Sequence, residues 1–234
     1  MERPILAVRH LSKAFGNHKV IENLSFEVNR RERVALFAPS GSGKTTLIHI
    51  LNGLISPDSG SFQILDPHPI TIFQEPRLFP YMTVEENLFL PFRVHGRRIT
   101  SREWQICRRW LEVCGISECL RQFPHQLSGG MKQKVALIRG MLQEPRFVMM
   151  DEPFQSMDWA SRRKIMNHIV ENYPEMALLF VTHQIEEVPA FAQSVLFFQR
   201  PVLCMAQVID VEGFQRMIKG GAFLAPGSVA VAGN

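Results

Sequence analysis

The stretch that decides the fold runs from residue 33 to residue 46 and reads RVALFAPSGSGKTT. Residues 33–37 hold a short apolar run, which is typical of a β-strand buried on both faces. The loop that follows is built of small and turn-forming residues and includes Gly41 and Gly43. Residues 47–54, LIHILNGL, favour a helix. The sequence therefore predicts a buried strand, a glycine-containing loop and a helix in immediate succession.

This succession fits the pattern G-x-x-x-x-G-K-[ST], in which a loop between a strand and a helix binds phosphate. Glycines permit a close approach of the backbone, and the N-terminus of the helix attracts an anion. We expect Lys44 to reach the β- and γ-phosphates of a nucleotide and Thr45 to bind magnesium (Mg²⁺). Ala38 replaces the first glycine of the pattern, which is tolerated if its φ is negative. The predicted nucleotide-binding residues of this loop are Ser40, Gly41, Ser42, Gly43, Lys44, Thr45 and Thr46. A glycine- and serine-rich turn that binds nothing is the alternative.

Strands and helices alternate through the rest of the chain. Apolar runs at 147–150, 177–181 and 195–198 predict further buried strands, and residues 159–172 predict a helix. Residues 83–143 are helical in pattern, with one apolar face formed by Met131, Val135, Ile138 and Leu142. Residues 1–30 and 61–73 favour short strands. This alternation predicts an α/β fold with a parallel sheet.

Composition narrows the possible partners. The chain has 234 residues, 46% of them hydrophobic, and a net charge of +4, which is too small an excess to indicate nucleic-acid binding. No secretion signal is recognisable in the polar opening MERPILAVRHLSKAFG, and there is no apolar run of 18 residues. The four cysteines show no CxxC pair, which favours reduced thiols in the cytosol.

Three further segments give the loop a family context. Residues 127–131 read LSGGM, residues 147–158 read FVMMDEPFQSMD, and residues 181–183 read VTH. In this order they resemble the ATP-binding cassette (ABC) family of transport ATPases. LSGGM resembles the signature motif, FVMMDE the Walker B strand with its catalytic glutamate, and Ser156–Asp158 the D-loop. His183 resembles the switch histidine, and the whole resemblance covers about residues 3–205.

The resemblance implies a fold and a domain organisation. It implies a P-loop NTPase (RecA-like) core with an N-terminal antiparallel β subdomain and an inserted α-helical subdomain. Residues 1–234 are expected to form a single ABC ATPase domain. Its helical subdomain is expected at about 78–143 and a short C-terminal tail at about 206–234, the last dozen residues being prone to fray.

The resemblance also implies roles in binding and hydrolysing ATP. Glu152 is the expected general base, with His183 and Gln74 as the other catalytic residues. Gln74 is expected to bind Mg²⁺ together with Thr45 and Asp151, and Phe15 to stack on adenine. The alternatives are a core position for Phe15, a surface-loop role for Gln74 and a structural role for His183.

The signature segment implies a dimer. Its residues Ser128, Gly129 and Gly130 are expected at a helix N-terminus, where they meet the γ-phosphate bound by another subunit. One phosphate loop and one signature segment in the same chain therefore imply a homodimer of ATPase subunits.

Spacing and local sequence suggest the kind of transporter. Only 84 positions separate Lys44 from Ser128, which leaves no room for the long coiled coil of chromosome-maintenance and DNA-repair relatives. The stretch IFQEPRLFPYMTVEENLFLPF is similar to nitrate, sulfonate and taurine importers. Departures from the usual pattern occur at Ala38, Gln155, Ser156, Gln184 and Val202.

An importer implies transmembrane permease subunits, an extracytoplasmic solute-binding protein, and a cytoplasmic location on the inner face of the membrane. Residues 75–95 are expected to form the docking cleft for the permease, with Phe79, Pro80 and Tyr81 as anchors unless these pack the helical subdomain instead. An exporter subunit, or an ATP-dependent switch acting on a soluble partner, are the alternatives.

Overall fold

A computed structural model describes residues 3–198, 202–204 and 207–220. Its strands are β1 (Leu6–Phe15), β2 (His18–Val28), β3 (Arg33–Phe37), β4 (Ser59–Ile64), β5 (Ile70–Ile72), β6 (Phe147–Asp151), β7 (Ala177–Thr182), β8 (Ser194–Phe197) and β9 (Gln207–Asp210). Its α-helices are α1 (Lys44–Leu51), α2 (Val84–Val94), α3 (Ser101–Cys114), α4 (Gly129–Met141), α5 (Trp159–Asn172), α6 (Glu187–Phe191) and α7 (Val211–Lys219).

The central sheet has six strands in the order β5-β6-β7-β3-β8-β9. The first five are parallel, and β9 runs antiparallel to β8. Every residue of β6 and β7 is buried, as their continuous apolar runs predict. The predicted α/β fold with a parallel sheet is therefore confirmed.

The N-terminal strands form a separate antiparallel sheet in the order β2-β1-β4. In β2 the apolar side chains of Val20, Leu24 and Phe26 are buried while several of the residues between them are exposed, as expected of a strand with one face in the core. An isolated parallel bridge between Ile21 and Leu203 ties this sheet to the segment after β8. The antiparallel N-terminal strands were expected, whereas the bridge joins positions far apart in the chain.

Along the chain, helices α2, α3 and α4 follow β5 and precede β6. They fall within the predicted helical insertion, residues 78–143. Thr83 and Glu86 form a capping box at the start of α2, and Thr100 and Glu103 form another at the start of α3. Asn87, which is completely buried, accepts from the backbone N–H of Phe79 and donates to backbone carbonyls of the preceding loop. These local bonds hold the loop before α2 in one shape.

The C-terminal segment contains more structure than the predicted tail. Residues 207–219 form β9 and α7, and the ring of Phe214 packs against Phe37 and Phe197 with centroid distances of 5.0 and 6.2 Å. Through this buried aromatic side chain, α7 packs against the central sheet. The small-residue stretch 221–234 lies outside the described residues, as do Arg200 and Pro201.

Two other expectations concern cysteines and the membrane. Cys107, Cys114, Cys119 and Cys204 are free thiols, and burial raises the pKa of Cys107 and of Cys114 to about 12. These two thiols therefore remain protonated and unreactive at neutral pH. Among the described residues, no helix combines the length and the apolar character needed to cross a membrane.

Candidate nucleotide site

Three loops meet at one edge of the central sheet because β6, β7 and β3 are neighbours. In the register of these parallel strands, Asp151 lies opposite Val181, and Phe37 lies opposite Thr182. The loop 38–43, the residues after Asp151 and His183 therefore follow the strands at the same level of the sheet. This is the edge formed by the C-terminal ends of the strands, where α/β proteins bind ligands.

The glycine loop has left-handed backbone angles at the two glycines, which permit them as expected. Gly41 and Gly43 have φ values of 74° and 92°, which residues with a Cβ atom rarely adopt. A Cβ on Gly43 would also overlap the Cγ1 of Val20 and would lie 3.2 Å from its carbonyl oxygen. Strand β2 thus braces the loop from outside, through a residue that sequence reasoning missed because it lies in another sheet.

Lys44 is folded back over the loop. Its Nζ donates to the carbonyl oxygens of Ala38 at 3.1 Å and Pro39 at 2.8 Å. Burial lowers the pKa of Lys44, while the nearby charges of Glu152 and Asp151 act in the opposite direction. The ammonium group is thus buried among acceptors at the centre of the loop, where a phosphate would need a cation.

Ala38, the departure from the phosphate-loop pattern, is accommodated as expected. It is buried and does not belong to the residues with positive φ, so its methyl group requires no left-handed backbone. Its carbonyl oxygen is one of the two acceptors for Lys44.

Asp151, at the end of β6, is the most unusual polar group of the site. Its exposed fraction is 1%, and neither carboxylate oxygen has a hydrogen-bond partner of normal geometry. Burial raises the pKa of Asp151, and the nearby Thr45 hydroxyl is the main influence that lowers it. A buried carboxylate without partners is costly unless a cation completes its coordination.

Glu152 and His183 face each other across the ends of β6 and β7. The Nδ1 atom of His183 lies 3.0 Å from the Oε1 atom of Glu152. Glu152 has a φ of 44°, an uncommon value for a residue with a side chain, and its backbone N–H donates to the carbonyl of Val181. The neighbouring side chain of Gln184 has its Nε2 atom 3.0 Å from Nε2 of His183. Backbone strain of this kind is concentrated at functional sites.

Gln74 connects a second loop to this region. Its side-chain amide donates to the Oε1 atom of Gln155 at 2.8 Å, three residues after Glu152. Gln74 is exposed. The contact with Gln155 was not predicted, since only the fold brings positions 74 and 155 together.

The signature segment opens α4 as predicted. Ser128 is the N-cap, and its hydroxyl accepts from the backbone N–H of Met131 at 3.3 Å. Gly129 and Gly130 form the first turn, and a Cβ on Gly130 would lie 2.6 Å from the carbonyl oxygen of Ser156. The D-loop therefore packs directly against the start of the signature helix.

Phe15 does not belong to the core. Its side chain is at the end of β1 and is 51% exposed, with Nζ of Lys13 5.4 Å from the ring centroid. The ring is therefore accessible to a planar ligand, and stacking on adenine remains a prediction.

A phosphate loop between a parallel strand and a helix, with a buried aspartate at the end of another strand of the same sheet, defines a P-loop nucleotide-binding protein. Residues 21–155 match the family model described as ABC transporter. The chain belongs to this family, and the family expected from its motifs is thereby confirmed.

Relatives and a solved structure support the assignment. The chain is 32% identical over 204 residues to the spermidine/putrescine import ATP-binding protein PotA of Nitrosomonas europaea, covering 82% of this chain and 56% of that protein. It is 36% identical over 194 residues to the aliphatic sulfonates import ATP-binding protein SsuB 1 of Pseudomonas syringae pv. tomato, covering 81% and 68%. The structure of an ATP-binding subunit of an ABC transporter matches with a TM-score of 0.79 at 25% identity, covering 92% and 93% of the two chains. The alignments span little more than half the length of the polyamine-import relatives.

Proposed function

We propose that this chain is the ATP-binding and ATP-hydrolysing subunit of an importer, acting as a homodimer on the cytoplasmic face of a transmembrane permease. The observation that carries the proposal is the buried, unpartnered Asp151 beside the Lys44 loop, with Glu152 and His183 at the same edge of the sheet. At this edge Lys44 is the proposed cation that binds phosphate, Asp151 the proposed metal ligand, and Glu152 the proposed base that takes a proton from water. Phosphoryl transfer to water requires these three groups.

The acidic end of β6 fits a magnesium ion. Carboxylate and hydroxyl oxygens are the ligands that Mg²⁺ prefers, and the unpartnered oxygens of Asp151 stand near the hydroxyl of Thr45. Asp151, Thr45 and, by the family resemblance, Gln74 would hold the ion. Bound there, Mg²⁺ would neutralise charge on the phosphate oxygens during hydrolysis.

Glu152 is the proposed general base. A carboxylate at this position accepts the proton of the attacking water as the water oxygen bonds to the γ-phosphorus and the bond to ADP breaks. His183 at 3.0 Å orients the carboxylate and contacts the γ-phosphate when ATP is bound. The ammonium group of Lys44 exchanges its two carbonyl acceptors for phosphate oxygens.

A second copy of the chain completes the nucleotide site in this proposal. Ser128, Gly129 and Gly130 stand at the N-terminus of a 13-residue helix, where backbone N–H groups and the helix dipole favour an anion. Their proposed ligand is the γ-phosphate held by the glycine loop of the partner subunit. The contact between Gly130 and Ser156 supports this arrangement because it presents the signature turn and the D-loop as one surface.

The loop before α2 is the proposed permease contact. Tyr81 is 92% exposed and Phe79 is 49% exposed, although both are large apolar side chains. A groove of about 190 Å³ lies beside the Gln74 loop and is lined in part by Phe73, Pro76 and Arg77. The exposure of Tyr81 argues against a role in packing the helical subdomain and favours a partner. A larger cavity of about 790 Å³ is lined by 66–70 and 143–146 together with His95 and Arg97. None of the predicted nucleotide-site residues is among these described lining residues, and His95 is the last residue of the predicted docking segment 75–95.

Import is the direction that the comparisons favour. The polyamine and sulfonate relatives are both named as import ATP-binding proteins. In an importer, an extracytoplasmic solute-binding protein delivers the solute to the permease, and this ATPase subunit touches neither the solute nor nucleic acid.

Two measurements test the proposal. The tagged chain is purified from detergent-solubilised membranes of its own host, and Mg·ATP hydrolysis is measured on the purified chain. We expect a multi-spanning membrane protein to co-purify with the wild type, to be lost with Tyr81→Asp, and to be retained with Gln105→Asp, which likewise adds one negative charge at an exposed position. Recovery of a soluble partner alone would establish the ATP-dependent switch instead. Absence of ATP hydrolysis in the wild-type chain and in its recovered complex would overturn the enzymatic part.

A further inference from the structure

A buried ion pair joins α5 to α6 outside the phosphate loop. The Nη1 atom of Arg162 lies 3.0 Å from Oε1 of Glu187, and their side chains are 15% and 3% exposed. Among the ion pairs of the described residues, this is the one in which both side chains are at least 85% buried. None of the roles assigned above uses either residue.

The glutamate end of the pair reaches the strand that carries the switch histidine. The second carboxylate oxygen of Glu187 accepts from the hydroxyl of Thr182 at 2.6 Å. Thr182 ends β7 immediately before His183, and its hydroxyl oxygen also accepts from the backbone N–H of Gln184 at 3.0 Å. Glu187 thereby fixes, through Thr182, the backbone on both sides of His183.

The arginine end of the pair contacts the segment 155–158, which contains the D-loop. Its Nε donates to the carbonyl of Met157 at 2.7 Å, and its Nη2 donates to the carbonyl of Gln155 at 3.3 Å. One rigid guanidinium group therefore holds two carbonyls of the 155–158 segment and the carboxylate of Glu187. A lysine has a single nitrogen on a flexible stem and cannot hold three acceptors in the same fixed geometry.

The two ends connect structures that must act together in the proposed reaction. The 155–158 segment contacts the Gln74 side chain through Gln155 and the start of the signature helix through Ser156. The other end of the pair fixes the position of His183, which faces Glu152. The ion pair is thus a continuous bonded link between the switch histidine and the segment beside the signature helix.

We propose that Arg162 and Glu187 are positioning residues for ATP hydrolysis, which hold His183 and the 155–158 segment in one fixed relation. The inference rests on the proposed ATPase function. It assigns the pair a role in the catalytic step and not in nucleotide affinity, since neither side chain contacts the phosphate loop in the described bonds.

The energetics of buried charge allow this role to be separated from a structural one. Replacing both members of a buried ion pair by apolar residues of similar size is often neutral or stabilising, whereas removing one member leaves an unpaired buried charge. A pair that only stabilises the fold is therefore replaceable by an apolar pair without loss of turnover. A pair that positions the site through its hydrogen bonds is not replaceable in this way.

The experiment compares the full-length wild type with an Arg162→Met/Glu187→Leu double variant. The matched control is Arg102→Met/Glu144→Leu, which removes an exposed ion pair of 2.6 Å with side chains 66% and 43% exposed. Each protein is measured for kcat and KM with Mg·ATP, binding of a fluorescent ATP analogue and the midpoint of thermal unfolding. We expect kcat of the buried-pair variant to fall at least tenfold while KM and analogue binding stay within threefold, and the control to match the wild type throughout.

A folded buried-pair variant with wild-type kcat would overturn the inference. If that variant does not fold, Arg162→Lys decides the question, because it keeps the charge opposite Glu187 and loses the three-acceptor geometry. A tenfold fall in kcat with unchanged KM and unfolding midpoint supports the proposal, and unchanged kcat refutes it. Failure of the wild type and of the control to hydrolyse ATP would instead count against the proposed function.

Discussion

The close approach of Gly43 to Val20 makes a quantitative prediction for Gly43→Ala. A side chain at φ 92° adds backbone strain of about 1–2 kcal/mol. The new Cβ would also overlap the Val20 side chain, and overpacking of this kind costs about 1–3 kcal/mol. We therefore expect Gly43→Ala to lower the free energy of unfolding by about 2–5 kcal/mol and to weaken nucleotide binding.

Gly41→Ala is the matched control within the same loop. Gly41 has a φ of 74°, but no atom lies within 4 Å of a Cβ built there. Its substitution should cost only the strain, about 1–2 kcal/mol. The effect of alanine on the entropy of the unfolded chain is common to both variants, so it cancels in their comparison.

A double-mutant cycle with Val20→Ala isolates the overlap. Val20→Ala alone removes two buried methyl groups and should cost about 1.6 kcal/mol at about 0.8 kcal/mol per group. In Val20→Ala/Gly43→Ala the overlap is relieved. The double variant should therefore lose about 1–3 kcal/mol less unfolding free energy than the two single variants lose in sum. Urea unfolding followed by tryptophan fluorescence measures all four proteins. Equal costs for Gly43→Ala and Gly41→Ala, or additive effects in the cycle, would refute this reasoning.

Five other substitutions test the remaining roles. Lys44→Ala should abolish nucleotide binding with the fold intact by circular dichroism, and unchanged ATPase activity would contradict the phosphate-loop assignment. Glu152→Gln keeps hydrogen bonding but cannot take a proton, so hydrolysis should collapse and an ATP-dependent dimer should accumulate in size-exclusion chromatography. Adding Ser128→Arg to that variant should remove the dimer, and a dimer that persists would count against the signature surface. Tyr81→Asp should leave ATP binding of the isolated chain within twofold while abolishing permease assembly, and retained assembly would move the docking site elsewhere. Ala38→Gly should change hydrolysis less than twofold and cost about 0.5–1 kcal/mol of stability, and a large gain in ATP affinity would show that the native loop is strained.

The sequence predicted those parts of the site that depend on neighbouring positions. The apolar run 33–37, the glycines after it and the helix from Lys44 form one continuous segment, so their order alone predicts a strand, a loop and a helix. The predicted helix 159–172 agrees with α5, whose N-cap Asp158 accepts from the backbone N–H of Ser161. Hydrogen bonds of this type join residues only a few positions apart, which makes them readable from the chain.

Whether a single side chain is buried or exposed could be decided only from the structure. Phe15 and Tyr81 each had a plausible core position in the sequence, because aromatic residues are more often buried than exposed. The structure leaves Tyr81 in solvent, in a loop whose backbone is bonded to Asn87 at Phe79 and Met82. In contrast, Phe214 lies in a stretch predicted as a tail, yet it packs on the central sheet.

By itself the sequence determined the family, the phosphate loop and the identity of Asp151, Glu152 and His183 as candidates. Only the tertiary structure decided which of them meet. Glu152 and His183 are 31 positions apart in the chain, and their 3.0 Å contact exists because β6 and β7 are adjacent parallel strands whose ends are in register. The contacts of Val20 with Gly43 and of Arg162 with Glu187 likewise join separate elements. Strand order and helix packing minimise exposed apolar surface over the whole chain, and no local pattern contains that information.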